Sequence, residues 1–369
     1  MSKKKLLIFH PTIAPYRIDL FNSLCKAFST EVCLEYWNLK DQKFDYRKIY
    51  EQFKFAPKYL PNRSLIGMVK FVKEEITKFN PDIVLVSEFH YITIIVVLLR
   101  LILHLKYKIV SICDDSYNMV AENNDFSITH RMARKFVVPY LDDLILVEPR
   151  TVEWYQRNYR KGIYFPIIKE DSQARSTYKK VLPLSRILLK EFGLQGKYVF
   201  LFVGRLVSLK NVKTIITAFS KLDQNENALV IVGDGPEKEQ LTKLASDLGI
   251  TVVFTGRLEG DSLYAWNNVA NCFVLASYQE AFGAVTNEAL LAGCWCIISN
   301  KAGSQCLIED GKNGFTFDPM NVIELTEKMK LAVGKCQHKD YDNVKDNLML
   351  ITYEHCLHDL VCSLNAIAQ

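Results

Sequence analysis

At 369 residues the chain exceeds the usual ceiling for one hydrophobic core, so two domains are expected. Apolar residues make up 49% and charged residues 24%, the balance of an ordinary soluble globular protein, with no tandem repeat or low-complexity tract. Charge is divided unevenly: residues 1–168 carry 25 Lys and Arg against 18 Asp and Glu (net +7), and the remainder 21 against 23 (net −2). Such a first half either faces an anionic partner (membrane lipid, a phosphorylated acceptor or nucleic acid) or is simply a solvated basic surface.

Met1-Ser-Lys-Lys-Lys leads into only a short strand-like Leu6-Leu-Ile-Phe9, so no secretory signal is expected. Short β-rich runs then alternate with amphipathic helices. Strands are expected near 5–9, 31–36, 82–87, 108–113, 143–147 and 163–167, with helices near 16–29, 64–79, 91–105, 128–141 and 150–160. This is a βαβ series, hence a parallel sheet with helices on both faces. The longest apolar run, Tyr91 to Leu105, is too short for a span of about 20 residues and is interrupted by Arg100 and His104. It reads as a buried crossover helix. Lys169 to Lys190 is polar and contains Pro183, and is taken as a linker with a short helix. A second βαβ series begins at Lys197-Tyr-Val-Phe-Leu-Phe-Val203. It continues through Ala228–Val232, Thr251–Phe254, Cys272–Leu275, Cys294–Ile298 and Gly314–Phe317. Thr352 to Ala368 is helical in pattern with no strand after it. The ten cysteines are scattered without a Cys-x-x-Cys, mostly inside apolar runs, and read as small core residues.

The loops at strand ends carry the chemistry. Ala276-Ser-Tyr-Gln-Glu-Ala-Phe-Gly-Ala-Val-Thr-Asn-Glu288 sets Glu280 and Glu288 around a Phe-Gly turn between a buried strand and a helix. Free backbone N–H groups at such a place attract phosphate, and carboxylates accept hydrogen bonds strongly from sugar hydroxyls. Alternatively, both acids lie on a solvated helix surface. After the strand ending at Val203 comes Gly204-Arg205-Leu-Val-Ser-Leu-Lys210, suited to a diphosphate: Arg as a bidentate fork, Lys as a point charge. Gly233-Asp-Gly-Pro-Glu237 lacks the third glycine of the dinucleotide fingerprint, which argues against NAD or FAD. Gly256-Arg257-Leu258 offers backbone groups to a base edge. In the first half, Asp114-Asp115-Ser116 ends a strand, where paired acids suit either catalysis and acceptor positioning or a helix cap. Arg17 reads as a first-turn surface arginine with phosphate contact as the alternative, and His130 and Arg134 as surface or structural residues.

In this order the motifs Val203-Gly-Arg-Leu206 with Lys210, Val232-Gly-Asp-Gly-Pro-Glu237, Thr255-Gly256, Ala276-Ser277, Glu280-Ala-Phe-Gly-Ala-Val285, Glu288-Ala289 and Asp310-Gly-Lys-Asn-Gly314 resemble the family-4 glycosyltransferases, retaining enzymes of the GT-B fold. The resemblance covers about residues 197–333. Ala281 replaces the family's usual Gly, Gly293-Cys-Trp-Cys296 replaces its Gly-x-Pro, and the loop His10-Pro-Thr-Ile-Ala-Pro-Tyr-Arg17 lacks the glycines of many relatives.

The resemblance implies an α/β chain of two Rossmann-like βαβ domains facing across a cleft. Residues 1–168 would be an acceptor-binding domain, 169–196 a linker and 197–349 a nucleotide-sugar domain. The helix at about 350–369 would return to the first domain. It also implies that Arg205 and Lys210 grip the donor's pyrophosphate, that Glu288 binds the ribose and that Glu280 contacts the transferred sugar. The backbone of Phe282, Gly283, Ala284 and Val285 would cradle sugar and phosphate, the backbone of Arg257 and Leu258 would meet the base, and Asp114 or Asp115 would serve the acceptor. The expected partners are a nucleoside-diphosphate sugar, a glycan or lipid-linked acceptor and an anionic membrane surface, not nucleic acid. Neither a metal nor a further cofactor is expected. The expected location is cytoplasmic, peripheral on the inner face of the plasma membrane. A nucleotide-sugar epimerase and a catalytically silent nucleotide-sugar-binding subunit are the alternatives.

Overall fold

The computed structural model describes residues 3–37, 46–61, 64–122, 127–335 and 341–369. The chain divides into two compact units, Met1–Ile167 with Glu354–Gln369, and Ile168–Tyr353. The Tyr353–Ile367 helix thus belongs, from Glu354 on, to the first unit, where the Lys4 ammonium donates to the Ala368 carbonyl at 3.0 Å.

The first unit holds seven parallel strands: β1 (Lys5–His10), β2 (Ser29–Leu34), β3 (Lys58–Tyr59), β4 (Ile83–Ser87), β5 (Lys108–Cys113), β6 (Asp143–Leu146) and β7 (Ile163–Tyr164). Their order is β3-β2-β1-β4-β5-β6-β7. The central strands are continuous aliphatic runs because both of their faces are covered, as parallel sheets require. The helices Leu65–Phe79, Tyr91–Ile102 and Pro149–Tyr159 pack on one face, where Val72, Val96 and Tyr155 share a core with Leu7, Val84 and Ile109. β3 and β7 are two-residue edge strands; β3 has no counterpart among the expected elements.

The second unit holds β8 (Tyr198–Val203), β9 (Asn227–Val232), β10 (Val252–Gly256), β11 (Cys272–Leu275), β12 (Trp295–Ser299) and β13 (Gly314–Phe317), all parallel, in the order β10-β9-β8-β11-β12-β13. In each sheet the strand order reverses direction once, between β1 and β4 and between β8 and β11. The loops at those two carboxyl ends splay apart and leave a crevice, the usual ligand position in an open α/β sheet.

The segment read as a linker with a short helix is instead two helices, Asp171–Lys180 and Leu182–Glu191. Ala174, Tyr178, Leu182, Ser185 and Leu189 form their buried stripe. Pro183 lies in the first turn of the second helix, where its missing N–H costs nothing. The nine described cysteines are free thiols, six of them buried; Cys336 lies outside the described residues.

Candidate active site

In the second unit the loops after β8 and β11 meet. The Tyr278 N–H donates to the Leu209 carbonyl at 2.9 Å, and the Lys210 ammonium pairs with the Glu280 carboxylate, which also accepts from Ser277 Oγ at 3.4 Å. Lys210 and Glu280, seventy positions apart, therefore stand together at the reversal point of the sheet. Arg205, just beyond the end of β8, is exposed and makes no ion pair among the described residues. Close backbone approach holds this region: a Cβ on Gly233 would lie 1.8 Å from the Gly204 carbonyl oxygen, so only glycine fits.

The Phe-Gly turn is fixed from both sides. The Ser304 N–H donates to the Phe282 carbonyl at 2.7 Å, the Gly303 N–H to the Glu280 carbonyl at 3.1 Å, and the Phe282 ring is buried. Gly283 has φ +94°, and a Cβ there would meet Leu275 Cδ2 at 2.9 Å and Ser304 Oγ at 3.1 Å. The chain then enters the Val285–Leu291 helix, with Thr286 N–H bonded to the Gly283 carbonyl. The N–H groups of Gly283, Ala284 and Val285 have no backbone acceptor among the described residues, which leaves three donors at the turn.

Glu288, on that helix, is not on a solvated surface. Its carboxylate pairs with Lys169 at 2.6 Å, and Lys169 in turn donates to the Tyr264 hydroxyl at 2.7 Å and sits over the Tyr264 ring. Burial opposes the charge on Lys169, but the Glu288 carboxylate outweighs it and holds the ammonium above its ordinary range. The sequence reading missed Lys169, placing it in a linker. Arg257 is exposed beyond β10 and pairs with Glu259, and Leu258 is half-buried beside it.

The first unit has its own pocket at the β1/β4 reversal, of about 270 Å³, lined among others by His10, Thr12, Arg17, Glu88, His90 and Asp114. Arg17 is no surface arginine: it is only 3% exposed, pairs with Asp114, and leaves Nη1 without a hydrogen-bond partner. Asp115, 1% exposed, points away from Asp114, accepting from the Tyr155 hydroxyl at 2.5 Å and from Arg134 at 3.3 Å. Successive side chains at a strand end leave on opposite sides, which separates the two acids. Neither caps the next helix, whose N-cap is Ser116. Arg134 is buried and structural, and His130 is half-buried.

Glu88, which sequence reasoning did not single out, links the two. It follows β4 in a left-handed conformation (φ +51°) and accepts from the Asp114 N–H at 3.0 Å, with His130 Nε2 at 3.3 Å. Burial pushes the Glu88 carboxyl up, yet the bonds from His130 and the Asp114 amide hold it below the ordinary carboxylate range. Asp114 and Asp115 are both raised: burial acts first on each, Arg17 opposes it at Asp114, and the Glu88 charge adds to it at both. His10 is held neutral, lowered to about 4 by burial and by the Arg17 charge, and its Nδ1 lies 2.7 Å from the Thr12 carbonyl. Ligand-type atoms of Glu88, Cys113 and Asp115 lie within 4.8 Å of one another. However, Arg134 already brings a cation to that group, and burial keeps Cys113 a thiol, so it is a poor metal cage.

No helix among the described residues is long and apolar enough to cross a membrane. The family model described as glycosyl transferases group 1 matches residues 187–347. An uncharacterized glycosyltransferase of Methanocaldococcus jannaschii is 36% identical over 136 residues, 36% of this chain and 35% of that protein. A GDP-mannose-dependent α-(1-6)-phosphatidylinositol monomannoside mannosyltransferase of Mycobacterium tuberculosis is 33% identical over 151 residues, 38% of this chain and 39% of that protein. The aligned part thus spans little more than a third of these curated relatives. Over nearly the whole chain, the structure of Anabaena HepE in complex with UDP has the same fold, with TM-score 0.76, 16% identity and coverage of 98% and 100%. Motifs, sheets and matches agree: residues 187–347 match the glycosyl transferases group 1 model, and the chain has the two-unit Rossmann-like architecture of GT-B proteins.

Proposed function

We propose that the chain transfers a sugar from a nucleoside diphosphate to a hydroxyl of a glycan or lipid-linked acceptor, with retention of anomeric configuration and without a metal ion. The observation that carries this reading is the Lys210–Glu280 pair at the β8/β11 reversal, with Arg205 exposed on the same loop as Lys210 and, among the described residues, three N–H groups at the Gly283 turn without a backbone acceptor. As the bond from the anomeric carbon to the β-phosphate oxygen breaks, its electron pair leaves with the phosphate. Arg205, Lys210 and the turn amides neutralise that charge, and preorganised electrostatics of this kind is usually the largest catalytic effect. Lys210 also fixes Glu280, which accepts hydrogen bonds from the sugar hydroxyls. Glu288, oriented by Lys169, accepts from the ribose, and the Arg257 and Leu258 backbone meets the base.

The acceptor hydroxyl attacks the same face of the oxocarbenium-like carbon that the leaving group vacates, and its proton passes to the departing phosphate oxygen. Asp114, the acid that lines the first-unit pocket, positions the acceptor, whereas Asp115 is structural. The mannosyltransferase relative's named lipid substrate favours a lipid-linked acceptor. The setting we infer is assembly of a bacterial-type surface polysaccharide (O-antigen, capsule or exopolysaccharide) on the cytoplasmic face of the plasma membrane.

A panel of nucleotide-sugars screened by thermal stabilisation tests the reading. A true donor at a hundred times its Kd stabilises by about 2.7 kcal/mol. The donor so found should be turned over undiminished in excess chelator and poorly by Glu280→Ala. Strict Mg²⁺ dependence, or full turnover by Glu280→Ala, defeats the mechanism.

A further inference from the structure

The helices Tyr91–Ile102 and Ile128–Val137 of the first unit each carry an apolar stripe on the side that faces away from their own core. On the first, Ile94, Leu98, Leu101 and Ile102 are exposed at spacings of one helical face, Ile102 by 69%. The second exposes Ile128 (72%), Met132 and Phe136 (62%), four residues apart each time. Their inner sides are accounted for: Ile92, Ile95, Val96 and Leu99, and Val137 from the second helix, lie in the core cluster over the sheet. These outer apolar residues therefore cover nothing within their unit.

Topology puts the two stripes side by side. The connections β4 to β5 and β5 to β6 step in the same direction through adjacent parallel strands, and right-handed crossovers place both helices on the same face. Arg100 of the first helix reaches the Tyr140 carbonyl and Asp142, just beyond the second, and ties their ends together. A joint patch of this kind marks an interaction surface rather than scattered surface leucines.

Charge says what covers it. Residues 91–108 and 127–141 contain six Lys and Arg and not one Asp or Glu. Lys106, Arg131 and Lys135 are exposed and make no ion pair among the described residues. Arg131 and Lys135 project from the same helix as Ile128, Met132 and Phe136, on the flank of its apolar stripe. Apolar side chains rimmed by unpaired cations, with acids excluded, are the composition of an interfacial helix lying on anionic lipid.

We propose that this two-helix face docks the chain on an anionic bilayer surface, with Ile102, Ile128 and Phe136 entering the headgroup boundary and Arg131 and Lys135 meeting the lipid phosphates. The proposal names the surface behind the peripheral location inferred above and is independent of the sugar-transfer chemistry.

Flotation of the full chain with vesicles of phosphatidylcholine alone, and of phosphatidylcholine mixed with phosphatidylglycerol, tests it. The chain should float with the mixed vesicles only, and less so as salt rises. Arg131→Ala with Lys135→Ala should weaken that binding roughly thirtyfold, since each surface cation contributes about a fivefold factor. Ile102→Glu with Phe136→Glu should abolish it. All four positions are solvent-facing, so the melting temperature and the stabilisation by donor should match the parent's in every variant. Failure to float, equal flotation with both vesicles, or retained binding by Ile102→Glu with Phe136→Glu overturns the docking surface while leaving the donor reading intact. Should that double variant instead dissolve a dimer seen by light scattering, the face is covered by a second copy and the lipid proposal is wrong.

Discussion

Replacing Lys169 with methionine isolates the pair that orients Glu288. Both side chains are largely buried, at 17% and 15% exposure, and Lys169 bridges Glu288 at 2.6 Å and the Tyr264 hydroxyl at 2.7 Å. Methionine keeps the stem but leaves the carboxylate facing Tyr264 without a counter-ion. Breaking a fully buried pair costs roughly 3–5 kcal/mol, and the residual exposure here lowers that to about 2–3 kcal/mol. For a unit of this size each kcal/mol moves the midpoint about 2–4 °C, so the second unit should melt roughly 4–12 °C lower.

Calorimetry of the full chain at neutral pH reads this. Because pairing raises the folded-state pKa of Lys169 above its ordinary 10.5, the stabilisation is complete below that value and is lost only as pH rises past it. Adding Glu288→Leu removes the stranded charge and should restore more than half of the loss, since an apolar replacement of a buried pair is often neutral. A single variant melting within about 1 °C of the parent, or a double variant no better than the single, would refute the reasoning.

Arg205→Ala should leave stability within about 0.5 kcal/mol, because the residue is exposed and unpaired, yet lower kcat by roughly 10²–10³ if it neutralises the leaving phosphate; a turnover equal to the parent's would remove it from the site. Gly283→Ala forces a side chain into φ +94° against Leu275 and Ser304, so chemical denaturation should show a loss of about 1–3 kcal/mol, and donor stabilisation should shrink with it. His10 is depressed to about 4, so the folded state resists a proton that the unfolded chain accepts from pH 6.5 downward. Stability should therefore fall between pH 6.5 and 4 in the parent and less steeply in His10→Asn; parallel stability–pH curves would contradict the assignment.

Strands of the second unit are readable from sequence because most are runs dominated by buried apolar residues, as in Tyr198–Val203 and Trp295–Ser299. At the edges of the first sheet, β7 falls within the strand expected near 163–167, whereas the two residues of β3 make too little pattern to stand out. At 171–191 the composition hides one of the two helices behind a linker signal. The stripe Ala174, Tyr178, Leu182, Ser185, Leu189 has helical spacing, but the intervening charges and Pro183 suggest a linker until Pro183 is recognised as a first-turn residue. Lys169, Arg17 and Glu88 escape for another reason. Each is defined by a partner far along the chain (Glu288, Asp114, His130), and no local window holds both members of such a pair.

Asp114 and Asp115 carry that argument to its limit. As neighbours in sequence they look like one acidic motif with one role to share. The strand end sends them to opposite sides: Asp114 into the pocket with Arg17, Asp115 into the layer that holds Tyr155 and Arg134. Glu88 contacts the Asp114 amide and lies close enough to raise both acids, so the two are coupled through a third carboxylate rather than through each other. Protonation of Asp114 as the pH falls would thus relieve repulsion at Glu88 and, through it, at Asp115. Mutating Asp115 should consequently shift the pH dependence of any step that uses Asp114, as a positioning residue does, although Asp115 itself is shut away from the pocket.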